Sequence, residues 1–449
     1  MWLNFVRKFY TVLFAVIMAF TTVEVAVPFL MQTADVSYSF SDDLPGDAGG
    51  TVSVTANIPG KYKLYWGDSD GKRLTMDDVP FSQFAEVTVS GGEGSADIYE
   101  FTAIPEGAEK VLVFRGAVKL GETDVPEGKK PEDEEPSYTF GALSDVHFNR
   151  YNMSLTGDDA LITFRNALDF LKERGVDTVG ISGDISNRSE LDSFEKYNKV
   201  VSEYDFPIYT CTGNHDAQNN FKERWTPLVN TDVFVDQPRS GICETSDNGL
   251  DFVYAPSKFG GDAFVFFSQT AWDYNRENSR IVDDSQLDWL EDVLEKYRSY
   301  RVWLFFHTFL ADDKNDPTCG EGNLINNKGE YYDLVYTVGT ADEVRFRSIL
   351  KKYKNVVFFN GHSHWEFEGI SMNPILNITN YGGTYATFVH VPSVSSPRRI
   401  QPNGKNTEEL FMRSSEGYYI EVYDDRTVLY GVQFWGKEYQ AYATYTIWK

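Results

Sequence analysis

The sequence is poor in cysteine, with three in 449 residues: Cys211, Cys243 and Cys319. So few thiols exclude a disulfide-dense scaffold, and they exclude a zinc ribbon built from cysteine ligands. The sequence leaves open whether Cys243 and Cys319 form a disulfide in an oxidising compartment.

Basic residues are also scarce, because 41 Lys and Arg stand against 67 Asp and Glu. The net charge of −26 at pH 7 repels phosphate backbones, so we expect no duplex nucleic acid as partner. Aromatic residues are plentiful at 15%, which is typical of a chain that folds around a large core. The chain exceeds the roughly 250–300 residues at which a single core stops growing, so at least two domains are expected.

Residues 1–34 resemble a signal peptide or a membrane anchor. Arg7 and Lys8 precede an apolar run that extends to residue 23, and small residues follow. A charged start followed by an apolar run of this length is typical of an export signal. The apolar stretch continues to residue 30, so an uncleaved anchor stays open. We expect a secreted or cell-envelope-associated protein, with residues 9–30 as its membrane tether if the segment is retained.

The pattern after this segment predicts two domains and a linker. Short alternating runs between residues 36 and 120, separated by Gly, Pro and Asp, predict a small all-β sandwich of immunoglobulin or fibronectin type. This domain is the candidate for contact with a protein or cell-surface partner. Residues 121–137 are acidic, contain three prolines and predict a solvated linker. Residues 138–449 alternate strands with amphipathic helices, which predicts an α/β domain that ends in a β-hairpin.

Polar clusters follow the predicted buried strands of this second domain. They are Asp145-Val146-His147, Gly183-Asp184, Gly213-Asn214-His215-Asp216, His307 and Gly361-His362-Ser363-His364. Because the carboxyl ends of strands in an α/β sheet meet at one crevice, we expect these clusters to converge. Asp, Asn and His donors in such number suit two adjacent divalent transition metals. His390 lies in an apolar run, and a structural role is expected for it.

This ordered set of motifs resembles the calcineurin-like metallophosphoesterase superfamily over about residues 138–394. The resemblance implies a four-layer α/β/β/α sandwich and a dinuclear metal site. It also implies the ligands: Asp145, His147, Asp184 and His364 for one ion, and Asp184, Asn214, His307 and His362 for the other, with Asp184 bridging.

Two departures from purple acid phosphatases bear on the metal. His147 stands where those enzymes have Gly, and Asn187 stands where they have the Tyr that ligates ferric iron. We therefore expect two divalent ions of manganese, zinc or iron. The Asp-x-His, Asn-His-Asp and His-x-His forms are most similar to bacterial phosphodiesterases of the cyclic-nucleotide type and their exported relatives.

The expected activity is hydrolysis of a phosphate ester, more readily a diester than a monoester, by a metal-bridging hydroxide. His215 is the candidate proton donor to the leaving group, and Asp216 is expected to fix its tautomer. Arg150 and Arg188 are candidates for binding phosphate oxygens, with solvated surface roles as the alternative. The substrate class is a small phosphate ester or an envelope phosphodiester.

A second hypothesis treats the chain as an exported binding protein whose β-sandwich does the work and whose phosphoesterase domain is vestigial. The presence of His215 and Asp216 favours the enzyme, because a vestigial domain has no need of a proton donor.

Overall fold

The computed structural model describes residues 33–131, 134–149, 159–218, 220–271, 280–310, 341–367, 377–380, 383, 385–400, 407–409 and 414–449. Almost all of the predicted signal or anchor segment lies outside these residues, as do Arg150 and Cys319. The Cys243–Cys319 pairing therefore stays a prediction. Within the described ranges, no helix is long and apolar enough to cross a membrane.

The first part of the chain consists of short strands. They are β1 (Ala34–Phe40), β2 (Gly50–Ala56), β3 (Gly60–Gly67), β4 (Thr75–Met76), β5 (Val79–Pro80), β6 (Ala85–Val89), β7 (Glu93–Ile98), β8 (Lys110–Arg115) and β9 (Val118–Asp124). One compact unit contains the described residues up to Leu74 with Gln83–Glu100 and Ile104–Pro131. Its sheets have the orders β1-β2-β7 and β6-β3-β8-β9, with antiparallel pairing.

The core of this unit follows the alternation of its strands. Tyr62, Leu64 and Trp66 of β3 are buried, and the Trp66 ring stacks on Phe84 at 4.2 Å between centroids. The unit is rich in strands, as expected, and its immunoglobulin-like topology stays a prediction. The sheet takes in residues to Asp124 that the sequence analysis places in the linker.

The second unit contains β4, β5, the remaining strands and the α-helices, whereas the 3-10 turn Glu127–Lys129 belongs to the first unit. The strands are β10 (Tyr138–Leu143), β11 (Thr178–Ile181), β12 (Ile208–Thr210), β13 (Ile242–Thr245), β14 (Phe252–Tyr254), β15 (Ala263–Phe266), β16 (Val302–Phe305), β17 (Val356–Asn360), β18 (Ile378–Thr379), β19 (Thr387–His390), β20 (Arg398–Ile400), β21 (Thr407–Glu409), β22 (Glu416–Val422), β23 (Arg426–Gln433) and β24 (Glu438–Trp448). The helices are α1 (Asp159–Glu173), α2 (Leu191–Val201), α3 (Lys222–Trp225), α4 (Asp284–Lys296) and α5 (Ala341–Lys352), and Glu127–Lys129 and Ser257–Phe259 form 3-10 turns.

Two sheets form the centre of this unit. Their orders are β12-β11-β10-β22-β23-β24 and β13-β14-β15-β16-β17-β19-β18. Aromatic side chains fill the space between them: Phe140 of β10 lies 5.0 Å from Phe264 and 5.2 Å from Trp303 between ring centroids. Sheets that interdigitate in this way exclude water from both inner faces.

Helices cover the outer faces of both sheets. Leu171 of α1 lies against Gly141 of β10, close enough that a Cβ on Gly141 would meet its methyl at 2.5 Å. On the other sheet, Leu290 of α4 and Phe346 of α5 share one buried cluster with Leu304 of β16. The layers are therefore helix, sheet, sheet and helix, which confirms the predicted mixed α/β fold.

Strand direction sets the position of the functional loops. β10, β11 and β12 run parallel to one another, and β15, β16, β17 and β19 do the same in the second sheet. The two sets of carboxyl ends meet, because His307 Nδ1 donates to Ser182 O at 2.7 Å and Ser182 Oγ donates to Phe359 O at 3.0 Å. The predicted polar clusters are thereby brought to one place.

Candidate metal centre

Five strand ends supply the predicted ligands. Asp145 and His147 follow β10, Asp184 follows β11, Asn214 follows β12, His307 follows β16, and His362 and His364 follow β17. All seven side chains belong to buried residues. Buried polar groups need partners, so what these residues contact decides what the site can do.

The backbone at these positions is strained. The angle φ is positive at Asp145 (55°), His147 (50°), Asp184 (55°), His362 (72°) and His364 (61°). A residue with a Cβ pays about 1–2 kcal/mol in the left-handed region. Such strain persists where surrounding structure enforces it and is characteristic of functional sites.

Two motif glycines allow the loops to approach one another. A Cβ on Gly361 would lie 1.8 Å from Ser144 Oγ and 2.3 Å from Asp145 Oδ2. A Cβ on Gly213 would lie 2.1 Å from Asp184 Oδ1. Only glycine fits, because any side chain would displace the carboxylates that the loops bring together.

The first donor cluster matches the first predicted ligand set. The Nε2 atoms of His147 and His364 are 2.9 Å apart, and His364 Nε2 lies 3.0 Å from Asp145 Oδ1. His147 Nε2 lies 3.5 Å from Asp145 Oδ1 and 3.4 Å from Asp184 Oδ2.

The second cluster shares an atom with the first. His307 Nε2 lies 3.1 Å from Asp184 Oδ2, 3.0 Å from Asn214 Oδ1 and 3.1 Å from His362 Nδ1. Asp184 Oδ2 thus belongs to both clusters, and its role as a bridging ligand stays a prediction.

Outer hydrogen bonds fix which atom of each ligand faces the clusters. Ser396 O accepts from His364 Nδ1 at 3.1 Å, and Ser182 O does the same for His307, so each Nε2 presents a lone pair. Asp145 Oδ2 accepts from His362 N at 3.0 Å, and Asp184 Oδ1 accepts from His215 N at 2.9 Å. The opposite carboxylate oxygens therefore point into the clusters.

These converging atoms fit cations. Asp145 Oδ1 and Asp184 Oδ2 are buried and accept no hydrogen bond from the described residues, although ring nitrogens lie close to both. Lone pairs of carboxylates and imidazoles that face one another in this way repel unless positive charge lies among them. The residues present therefore fit two divalent metal ions.

The electrostatics of the clusters agree with this fit. Burial alone would raise the pKa of Asp145, but the positive charge of His364 and the nearby ring of His147 hold it well below its usual range. Burial opposes protonation of His307, yet Asp184 and Asp145 raise its pKa to about 9, so without a metal ion the two carboxylates draw a proton to the Nε2 position that the ion would take. The carboxylates stay ionised and attract positive charge to the centre of the site.

His215 lies beside the clusters and is half-buried. Its ring centroid is 4.8 Å from that of His147, and one of its ring nitrogens lies within 4.8 Å of ligand atoms of His147 and Asp184. Its Nδ1 donates to Asn187 O at 2.5 Å.

The structure corrects the expected role of Asp216. Its carboxylate accepts hydrogen bonds from four donors: Gly213 N, Ile185 N, Ser186 N and Ser186 Oγ, at 2.8 to 3.1 Å. It therefore joins the loop after β11 to the loop after β12, and Asn187 O fixes the tautomer of His215. Burial, followed by the charge of Asp184, raises the pKa of Asp216 to about 7.

A family model for calcineurin-like phosphoesterases matches residues 138–366, just over half of the chain. The chain belongs to the calcineurin-like phosphoesterase family. It is therefore a metal-dependent phosphoesterase, and the superfamily predicted from the motifs is confirmed. The exported bacterial type stays a prediction.

Several known proteins are similar to this phosphoesterase. A probable cyclic nucleotide phosphodiesterase of Fibrobacter succinogenes is 24% identical over 228 residues, which cover 51% of this chain and 73% of the relative. A dimetal phosphatase from Danio rerio is 16% identical, with a TM-score of 0.38 over 70% of this chain and 99% of that one. A purple acid phosphatase from yellow lupin (Lupinus luteus) is 12% identical, with a TM-score of 0.43 over 93% of this chain and 74% of that one.

Only one of the two arginines predicted to bind phosphate lies within the described residues. Arg150 lies outside the described residues. Arg188 is exposed and follows Asn187 in the same loop, and its backbone N–H donates to the Glu190 carboxylate. Its role in binding phosphate stays a prediction.

A buried residue outside the predicted motifs, Gln269, joins two ligand loops. Gln269, after β15, accepts from Thr308 Oγ1 at 2.8 Å beside His307. Its main-chain N–H donates to Thr212 O at 3.3 Å, and its carbonyl accepts from Thr212 Oγ1, two residues before Asn214. No sequence signal identifies such a residue, because a single Gln after a strand matches no motif.

Proposed function

We propose that this phosphoesterase is an exported hydrolase that cleaves a phosphodiester more readily than a phosphomonoester. The observation that carries the proposal is the pair of donor clusters that share Asp184 Oδ2, with the half-buried His215 beside them. The name of the similar Fibrobacter protein supports a diester substrate.

Each cluster would hold one metal ion, of manganese, iron or zinc. Asp145, His147 and His364 would hold the first ion together with Asp184, and Asn214, His307 and His362 would hold the second together with the same Asp184. When bound, such a pair withdraws charge from phosphoryl oxygens and favours ionisation of the attacking water.

His215 supplies the proton that the leaving oxygen needs. Asn187 O holds Nδ1–H, so a second proton on the ring resides on Nε2, which faces the site. A placed general acid of this kind contributes about 10²–10⁴-fold to such reactions.

The substrate is a small phosphate ester or a diester of the cell envelope. The net charge of −26 opposes binding of a duplex nucleic acid. Export rests on the charged and apolar pattern of residues 1–34, and we propose the strand-rich first unit as the contact to a protein or cell-surface partner.

Purified protein loaded with Mn²⁺ tests the proposal. We expect turnover of bis-p-nitrophenyl phosphate at least about tenfold faster, in kcat/KM, than turnover of p-nitrophenyl phosphate. Faster monoester turnover would reject the diester assignment, and no turnover of either compound would reject the enzyme in favour of a vestigial domain.

His215→Gln tests the proton donor. A p-nitrophenolate leaving group needs little protonation and an alkoxide needs much, so we expect a loss of about 10²-fold or more with an alkyl diester and a much smaller loss with the p-nitrophenyl diester. Equal losses with both substrates would contradict the proposed role.

A further inference from the structure

The loop that holds His215 in place is itself held by a side chain from outside the motifs. The loop runs from Ser186 to Ser189, and Asn187 O accepts the His215 Nδ1 proton within it. A main-chain carbonyl can only hold an imidazole if the turn that presents it is fixed.

This turn has a conformation that needs support. Ser189 is buried and has a φ of 59°, in the left-handed region that serine rarely adopts. Inside the turn, Ser189 N donates to Ser186 Oγ at 2.9 Å, and Ser186 Oγ donates to Asp216 at 2.8 Å. These bonds fix one side of the turn.

Arg224 of α3 fixes the other side. Its Nε donates to Ser189 O at 2.8 Å, and its Nη2 donates to Ser189 Oγ at 2.9 Å. The same Nη2 donates to Gln218 O at 3.1 Å, and Gln218 Nε2 donates to His215 O at 3.2 Å. One guanidinium therefore joins the segment that presents Asn187 O to the segment that carries His215.

The helix that carries Arg224 is anchored by packing of the next residue. Trp225, the next residue of α3, is buried and packs edge-on against Phe194 of α2 at 5.3 Å between ring centroids. The planar fork of arginine suits this task, since it donates several hydrogen bonds in set directions from one rigid group.

We propose that Arg224 is a positioning residue for His215 in this phosphoesterase. It holds the Ser186–Ser189 turn so that Asn187 O meets Nδ1, and it thereby keeps Nε2 aimed at the leaving oxygen. The inference rests on the proposed function, because it gives His215 the role of proton donor.

Arg224→Met tests this inference, with turnover measured on the p-nitrophenyl diester and on an alkyl diester. Misplaced catalytic groups cost up to about 10²-fold, so we expect kcat to fall about tenfold or more with the alkyl diester and less than about threefold with the p-nitrophenyl diester. Bound metal, measured by elemental analysis, should stay at the wild-type level. Equal losses with both substrates would overturn the inference, because they indicate direct phosphate binding or general damage.

Two further variants sharpen the result. Arg224→Lys keeps the charge and loses the fork, so it should resemble Arg224→Met; full activity in this variant would overturn the inference. Lys222→Met is the control, because it removes a cation from the same helix. The Nζ of Lys222 donates to Asn248 O and not to the Ser186–Ser189 turn, so turnover of both diesters should stay unchanged. A leaving-group effect in Lys222→Met as large as that of Arg224→Met would also overturn the inference.

A double variant separates this inference from the proposed function. In a His215→Gln background, Arg224→Met should cause no further loss, and a multiplicative loss would overturn the inference. If His215→Gln alone loses the same activity with both substrates, His215 is not the proton donor and the proposed function fails. If His215→Gln shows the leaving-group dependence and Arg224→Met does not, only the positioning role of Arg224 fails. If Arg224→Met does not fold, Ser189→Gly replaces it in the test. This variant removes the contact between Arg224 Nη2 and Ser189 Oγ, and glycine suits the positive φ at this position. It should show the same leaving-group dependence at smaller size, and a variant without that dependence would count against the positioning role of Arg224.

Discussion

Three of the imidazoles at the metal centre use one ring nitrogen to bond a main-chain carbonyl. His307 and His364 give Nδ1 to main-chain carbonyls and present Nε2 to the clusters, and His215 gives Nδ1 to Asn187 O. A carbonyl acceptor sets the tautomer of each of these imidazoles without adding a charge. The negative charge that would attract metal ions therefore comes from the two buried carboxylates, Asp145 and Asp184.

His390 shows the contrasting use of a histidine. It lies at the end of β19, is buried, and its Nε2 donates to Trp365 O at 3.0 Å. Burial lowers its pKa from the ordinary 6.5 to about 4, so the folded chain keeps the ring neutral. These contacts agree with the structural role that was expected for it.

The pKa of His390 predicts a loss of stability in acid. Between pH 6.5 and 4 the unfolded chain binds a proton at His390 that the folded chain does not, so stability falls as the pH falls through this window, by roughly 3 kcal/mol at most. His390→Gln keeps a donor for Trp365 O and removes the titration. Its free energy of unfolding, measured by denaturant titration, should decline less than wild type over this window, each relative to its own value at pH 7.5. An identical decline would contradict the assignment.

At the scale of elements, parallel strands made the ligand set predictable. Each cluster can be recognised in the sequence because its polar residues directly follow an apolar run that predicts a buried strand. The carboxyl ends of parallel strands lie at the same edge of a sheet, so these residues are expected to lie close together. The role of Asp216 was not predictable in the same way. Neighbouring residues in a tight turn point in different directions, so adjacency to His215 did not mean contact with its ring.

Contacts made by main-chain carbonyls also could not be predicted from the sequence. Asn187, Ser182 and Ser396 act on the ligands through carbonyl oxygens, which every residue has. Arg224 and Gln269 act through contacts that form only once distant loops have met. Neither kind of contact leaves a pattern in the residue types.

The loop after β17 offers a direct test of the close packing. Gly361→Ala places a Cβ 1.8 Å from Ser144 Oγ, so Ser144 and Asp145 must move and the first donor cluster opens. We expect metal affinity to fall by about 10-fold or more, by analogy with disrupted outer shells of metal sites, with loss of activity. Gly128→Ala is the control, because an added Cβ there meets nothing within 4 Å. Wild-type metal affinity in Gly361→Ala, measured by competition with a chelator, would show that the loop tolerates the shift.

At the scale of the whole molecule, two sheets with aligned carboxyl ends build one site from residues spread over about half of the sequence. All seven residues of the two donor clusters belong to the second unit, and none belongs to the strand-rich first unit. Because Asp184 Oδ2 is shared, loss of this one carboxylate should weaken both metal positions together.

The most direct test is a metal titration of stripped protein, followed by elemental analysis and an assay with bis-p-nitrophenyl phosphate. The account predicts uptake of two ions per chain, one for each donor cluster, with activity that appears as both fill; Asp184→Asn should retain neither ion nor activity. No stoichiometric uptake of manganese, zinc or iron by the wild-type protein, or full uptake by Asp184→Asn, would contradict it.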